Sequence, residues 1–230
     1  ASACAIMLDI RMTKADMERA VTDTVTANKK ENGYIRLVVT RGTGDLGVNP
    51  VTCKKASVII IVGDIQLYPK EFYEKGIPII TSSVRRISPD QFDTRIKSLN
   101  YLNNVLAKIE ATRSGCLEAV MLNHDGFVAE CTGDNIFIVK KGVLYTPAPY
   151  ESTLEGITRE TVLSIASKIS IPVKQARLTT YDLYTADECF LTGTGAEIVP
   201  VSSIDGRVIG SSDTRTVTNA IREAFKKEIA

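Results

Sequence analysis

The sequence is short of several things, and each shortage excludes a class of function. One histidine, His124, stands in 230 residues. That rules out chemistry built on two or more imidazoles, including the common multi-histidine zinc sites. The five cysteines are odd in number and contain no C-x-x-C pair, so they read as thiols of a reducing compartment rather than as a disulfide framework. An excess of one charge is also missing: 28 Lys and Arg against 27 Asp and Glu leave a formal charge of +1, and nothing points to nucleic acid or an anionic membrane as partner. The longest apolar stretch, Ala56 to Val62, is far too short to span a bilayer, and the first residues do not follow a charged-then-apolar signal pattern. Repeats, low-complexity tracts and charge runs are absent. What remains is an ordinary globular composition, 44% hydrophobic and 24% charged, long enough for one large or two small domains. The expectation is a soluble, cytoplasmic protein.

Apolar and small residues at helical spacing (Met17, Ala20, Val21, Thr24, Val25) predict a helix from Lys14 to Lys29, with Thr13 as N-cap. Tyr34 to Thr40 is rich in β-branched residues and reads as a strand; after a glycine loop, Ala56 to Val62 reads as a second, buried one. Residues 65 to 75 lack a clean period and contain Pro69, which places a linker or domain junction there. Beyond it come a strand at Ile77 to Val84, a loop, and a helix from Ser98 to Arg113 with Leu99, Leu102, Leu106, Ile109 and Glu110 in the expected rows. Strands follow at Glu118–Leu122, Phe127–Glu130, Asn135–Val139 and Val143–Thr146, the last two joined by a Lys140-Lys141-Gly142 hairpin turn. A helix at Thr158–Lys168, strands near Val173–Ala176 and Glu188–Leu191, and an amphipathic helix from about Asp213 to Lys227 complete the chain. Antiparallel strands broken by a few helices predict an α+β fold rather than alternating βαβ units.

Gly42-Thr-Gly44-Asp-Leu-Gly47 formally matches G-x-G-x-x-G after a strand. A dinucleotide fingerprint must open into a helix that holds the pyrophosphate, whereas Val48-Asn49-Pro50 here is extended or turn-like, so a nicotinamide-dependent dehydrogenase is not expected. Lys97 stands just before the predicted helix, where the dipole disfavours an ordinary cation and a neutral, nucleophilic amine is easier to reach; the plainer alternative is a solvated side chain. Glu130 enters the polar turn Cys131-Thr132-Gly133-Asp134-Asn135 and can face a ligand nitrogen or cap the turn. Two segments resemble anion sites: Gly156-Ile157-Thr158, leading into a helix, and Thr192-Gly193-Thr194-Gly195 after a strand, a loop able to turn successive N–H groups inward. Together with a lysine, a carboxylate and no need of histidine or metal, they suggest a cofactor that carries a phosphate and an aldehyde.

These residues resemble the fold-type IV pyridoxal-phosphate enzymes (aminotransferase class IV), most closely the branched-chain amino acid aminotransferases. The resemblance is carried by Arg36–Pro50, Ile96–Ala111, Glu118–Phe137, Leu154–Glu160 and Ala186–Pro200, in family order over most of the chain. It implies two domains, the N-terminal small domain being truncated: residues 1–64 as its remainder, 65–70 as linker and 71–230 as the cofactor-binding domain. Ala1 to Leu8 resembles the end of the helix that follows the family's early strands. By the same resemblance, the cofactor is pyridoxal 5'-phosphate and Lys97 is the catalytic Schiff-base lysine and proton carrier. Glu130 faces the pyridine nitrogen, Tyr101 the 3'-oxygen, and Ile157, Thr158 and Thr194 the phosphate. Tyr34, Arg36, Thr194 and Gly195 belong to the substrate pocket. The implied reaction moves the amino group of leucine, isoleucine or valine to 2-oxoglutarate in a homodimer or higher homo-oligomer. Gly44 to Val48 lacks the arginine-and-histidine pair that D-amino acid aminotransferases carry, which leaves that branch as the alternative, beside a truncated pyridoxal-phosphate binder with little turnover.

Overall fold

A computed structural model describes residues 1–210 and 212–229, and the chain divides into two compact units, residues 1–66 and 67–230. The first holds helices α1 (Ser2–Ala5) and α2 (Lys14–Ala27) and strands β1 (Tyr34–Thr40) and β2 (Ser57–Gly63). Thr13 caps α2 as expected, its hydroxyl accepting from the Asp16 N–H at 3.1 Å. β1 and β2 pair antiparallel with Leu37 opposite Ile60. The buried strand expected at 56–62 is not buried: Ile59 and Ile61 are about half exposed. Two strands and one long helix make too thin a layer to cover both faces of the ribbon, and no residue of this unit is buried. The glycine loop opens no helix; it runs into a 3₁₀ turn at Pro50–Thr52, in agreement with the rejected dinucleotide reading.

The second unit comprises, in chain order, α3 (Phe72–Lys75), β3 (Ile77–Thr81), α4 (Leu102–Arg113), β4 (Glu118–Leu122), β5 (Val128–Cys131), β6 (Asn135–Lys140), β7 (Val143–Pro147), α5 (Ile157–Lys168), β8 (Val173–Ala176), α6 (Thr180–Tyr184), β9 (Glu188–Gly193), β10 (Glu197–Ile204), β11 (Arg207–Val208) and α7 (Thr216–Ile229). Its strands form one mixed sheet in the order β5-β4-β3-β10-β9-β6-β7-β8, with β11 on β10. Alternation along β6 fills a core on each side: Ile136 and Ile138 pack with Val120, Leu191 and Val201, while Phe137 packs with Phe190, Val162 and Ile221 beneath α5 and α7. The Phe137 and Phe190 rings stack at 5.1 Å. The Lys140–Gly142 hairpin is present, with Lys141 and Gly142 both at positive φ, as a two-residue turn of the primed type requires.

Two features depart from expectation. β10 is not legible in the sequence, because Pro200 argues against a central strand. It is tolerated where β10 changes partner, from antiparallel β9 over Glu197–Pro200 to parallel β3 from Val201 onward. The helix expected at Ser98 begins only at Leu102. The Ser98 hydroxyl accepts from the Asn100 N–H at 3.2 Å, a local turn that competes with helix. α4 is also rotated from the expected rows. Asn104, Ala107 and Ala111 are buried, whereas Leu102, Val105, Leu106 and Ile109 are exposed. Among the described residues no helix is long and apolar enough to cross a membrane.

Candidate active site

Lys97, Tyr101 and Glu130 line one cleft of the second unit, together with Arg86, Thr94, Asn104, Thr132 and Leu154. Lys97 is exposed and lies five residues before α4. The helix-dipole argument for its reactivity therefore does not apply, and its place in the cleft comes from the 92–101 segment instead. Tyr101 is the residue on which α4 opens.

Glu130 is 5% exposed and does not cap its own turn, which closes through the Cys131 N–H to the Asp134 carbonyl. Its Oε1 accepts from Arg86 Nε at 2.9 Å and is ion-paired with Arg86 Nη2 at 2.8 Å. Its Oε2 accepts from the Leu154 N–H at 2.9 Å and from Asn135 Nδ2 at 3.2 Å. Asn135 Nδ2 also donates to the Leu154 carbonyl, which fixes the orientation of that amide. Each of these groups is a donor, so Glu130 is placed as an acceptor in its own site. Burial pushes its pKa up, and Arg86, the Leu154 N–H and the nearby Lys97 charge pull against that.

The two glycine segments converge on the turn that Glu130 enters. A Cβ on Gly156 would lie 2.4 Å from Asn135 Oδ1, and one on Gly193 would lie 2.3 Å from Asp134 Oδ1. Only glycine lets α5 and the end of β9 approach so closely. Gly156 is the N-cap of α5, and no side chain caps the helix's first N–H groups; Thr158, in its first turn, is buried. Thr194 is exposed and Gly195 half-buried in the turn joining β9 to β10. Two hydroxyls here, Thr94 Oγ1 in the cleft wall and Thr192 Oγ1 on β9, are buried without a hydrogen-bond partner. Tyr34 and Arg36 belong to the first unit, where they share one face of β1.

Asp134 is buried, accepts from Tyr68 Oη at 2.7 Å, and is pushed up to about 6 by burial and by the Glu118 carboxylate. A carboxyl whose folded pKa exceeds its unfolded value of 3.8 binds protons more tightly when folded. Stability therefore falls as pH rises from about 4 through about 6, by about 3 kcal/mol in all. Asp134→Asn is expected to remove that slope, leaving the variant more stable than the parent at pH 7.5 and nearly equal to it at pH 4. Urea unfolding at both pH values reads this, and parallel pH profiles for the two proteins would contradict it. Cys131 and Cys189 are buried with their thiol pKa values pushed up by burial, which makes both inert.

Sequence reasoning missed Arg86, Asn135 and Thr94. Asn135 is visible only as part of a polar turn, and Arg86 carries no signal, because its partner is 44 residues away.

The family model of amino-transferase class IV matches residues 1–204. The chain belongs to the class IV aminotransferase family. A Methanocaldococcus jannaschii protein provisionally named a branched-chain-amino-acid aminotransferase is 50% identical over 98% of this chain and 77% of its own length. The Escherichia coli branched-chain amino acid aminotransferase structure superposes with a TM-score of 0.95 at 36% identity, covering 98% of this chain and 75% of that one. The Thermobaculum terrenum branched-chain enzyme, solved in its pyridoxal-phosphate holo form, gives 0.88 at 30% identity over 99% and 74%. This class IV aminotransferase is thus an enzyme, and the pyridoxal phosphate bound in the Thermobaculum terrenum relative carries a ring nitrogen, a phosphate and a carbonyl carbon. The residues present fit such a group: an amine at Lys97, an anionic carboxylate at Glu130, an uncapped helix start at Gly156, and unsatisfied hydroxyls at Thr94 and Thr192.

Proposed function

We propose that the second unit holds pyridoxal 5'-phosphate in this cleft and that the protein transfers the amino group of valine, leucine or isoleucine to 2-oxoglutarate. The observation that carries the reading is the closure of both glycine segments on the turn that also leads from Glu130. A phosphate-binding edge and a ring-nitrogen partner thereby share one wall. When bound, the cofactor supplies an aldehyde carbon for a primary amine and a protonated ring that draws electrons from the substrate Cα.

Lys97 Nζ would hold the cofactor and would carry the proton to and from the substrate Cα, which requires it as a neutral amine at each transfer. Glu130, held by Arg86, the Leu154 N–H and Asn135, would keep a proton on the ring nitrogen. Tyr101 would hold the 3'-oxygen. The first N–H groups of α5, beginning at Ile157, with the Thr158 and Thr194 hydroxyls, would take the phosphate, so that binding energy would be developed away from the reacting carbon. The N–H groups of Thr194 and Gly195 would take the carboxylate of the amino acid. The branched-chain preference is supported by the names of the relatives and by the Gly44–Val48 loop, which carries no arginine or histidine.

An absorbance titration tests this. Added pyridoxal phosphate is expected to give a protein-bound band that L-leucine bleaches and 2-oxoglutarate restores. Bleaching by D-alanine in place of L-leucine would move the reaction to the D-amino acid branch, and a bound band that no amino acid bleaches would leave a binder without turnover.

A further inference from the structure

Arg86 lies outside every motif discussed so far, yet it makes the most extensive polar contact in the cleft. Its side chain is 10% exposed against 7% for Glu130, and its Nε and Nη2 both reach Oε1. The remaining nitrogen, Nη1, donates to Asn104 Oδ1 at 3.2 Å and lies 3.4 Å from Asn103 Oδ1. Asn104 is itself buried and oriented by a 2.8 Å bond from Nδ2 to the Thr132 carbonyl. The backbone beneath is fixed too: the Arg86 N–H donates to the Leu122 carbonyl at 2.8 Å, and Asn103 Nδ2 donates to the Arg85 carbonyl at 2.8 Å. Glu110 anchors the start of the same segment through Ser82 Oγ and the Ser83 N–H. A guanidinium held by Glu130 on β5 and by Asn103 and Asn104 on α4 is a built feature, not a surface arginine that happens to find a carboxylate.

We propose that Arg86 is a positioning residue for the transamination: it holds Glu130 ionised and aimed at the cleft, and through Glu130 it sets the protonation of the cofactor's ring nitrogen. This rests on the function proposed above. The physical reason is the imbalance at Glu130. Burial favours its neutral acid, which would donate a proton where the ring needs an acceptor. The neutral donors Leu154 N–H and Asn135 Nδ2 satisfy Oε2, and Arg86 supplies the full charge at Oε1. A planar guanidinium places two donors on one oxygen in fixed geometry, which an ammonium does not.

The test uses the full chain, Arg86→Gln and Arg86→Lys, with two spectroscopic readouts. In the protein without added cofactor, the carboxyl carbon-13 shift of Glu130 is followed against pH. The parent is expected to stay ionised at neutral pH, Arg86→Gln to be protonated there, and Arg86→Lys to lie between. In the holoprotein, nitrogen-15 in the cofactor ring is expected to report a protonated ring in the parent and a neutral one in Arg86→Gln. kcat should fall roughly 10- to 100-fold while KM for L-leucine changes less than about threefold. Because Arg86 acts through Glu130, the double variant Arg86→Gln/Glu130→Gln should be no slower than Glu130→Gln alone. A Glu130 carbon-13 titration unchanged by Arg86→Gln would overturn the proposal, as would a ring nitrogen still protonated in a folded Arg86→Gln holoprotein. If Arg86→Gln does not fold, Arg86→Lys carries the same comparison. Failure of the chain to bind pyridoxal phosphate would sink the proposed function instead, and the carbon-13 titration would still decide the role of Arg86.

Discussion

Lys97→Ala is expected to lower turnover by about 10⁴-fold or more and to leave stability within about 0.5 kcal/mol of the parent. The two halves of this result have separate causes. Lys97 is exposed on a segment outside helix and strand, so truncating it opens no cavity. Its amine is nonetheless assigned two jobs, as covalent partner of the cofactor and as proton carrier at the substrate Cα, and no other residue of the cleft replaces both. Glu130 is committed to Arg86, the Leu154 N–H and Asn135, and Lys108, on α4, is engaged by the Leu117 carbonyl and the Glu118 carboxylate. Single-turnover kinetics with L-leucine, beside urea unfolding of the same preparations, measures both halves. A variant that keeps a tenth of the parent rate would contradict the assignment of Lys97.

A large stability loss is expected at Gly76. This residue follows α3 with φ +84° and ψ 154°, a region open to glycine and strained for any side chain. A Cβ there would lie 2.8 Å from Arg215 Nη2, 2.9 Å from the Ser202 nitrogen and 3.1 Å from the Val201 carbonyl carbon. Arg215 cannot swing aside, because it is buried and donates to the carbonyls of Glu74 at 2.9 Å and Lys75 at 3.1 Å, capping the end of α3. Gly76→Ala therefore combines backbone strain with a clash against backbone and a fixed guanidinium, a cost of about 3–5 kcal/mol. Gly142 provides the control: it also has positive φ, +75°, but nothing lies within 4 Å of its would-be Cβ, so its replacement by alanine costs only the conformational part, about 1 kcal/mol. Equal losses for the two variants in urea unfolding would show that the packing around Arg215 yields.

The legibility of the fold in the sequence varies with how local the determining forces are. α2, α5 and the Lys140–Gly142 hairpin are readable because a cap, a periodic face and a pair of positive-φ positions lie within a few residues of one another. Strand β10 is not, since its tolerance of Pro200 depends on two partner strands distant in sequence. The start of α4 is misplaced by a sequence reading because the Ser98 turn mimics the first turn of a helix in its spacing. Its buried face is misread because Ala107 and Ala111, small enough to pack closely, carry less hydrophobic signal than the leucines that stay outside. At the site, Glu130 and the two glycine segments are visible as isolated weak signals. That they meet at Asp134 and Asn135 is a property of the sheet order, in which β6 lies beside β9, and no local pattern encodes it.

Covalent mapping of the cofactor tests the central claim most directly. The full chain is incubated with pyridoxal phosphate and reduced with borohydride, and its peptides are then sequenced by mass spectrometry. The account predicts one stoichiometric phosphopyridoxyl label, on the peptide containing Lys97, lost on prior incubation with L-leucine. A label on Lys108 or another lysine, or one spread over many lysines at low occupancy, would contradict it.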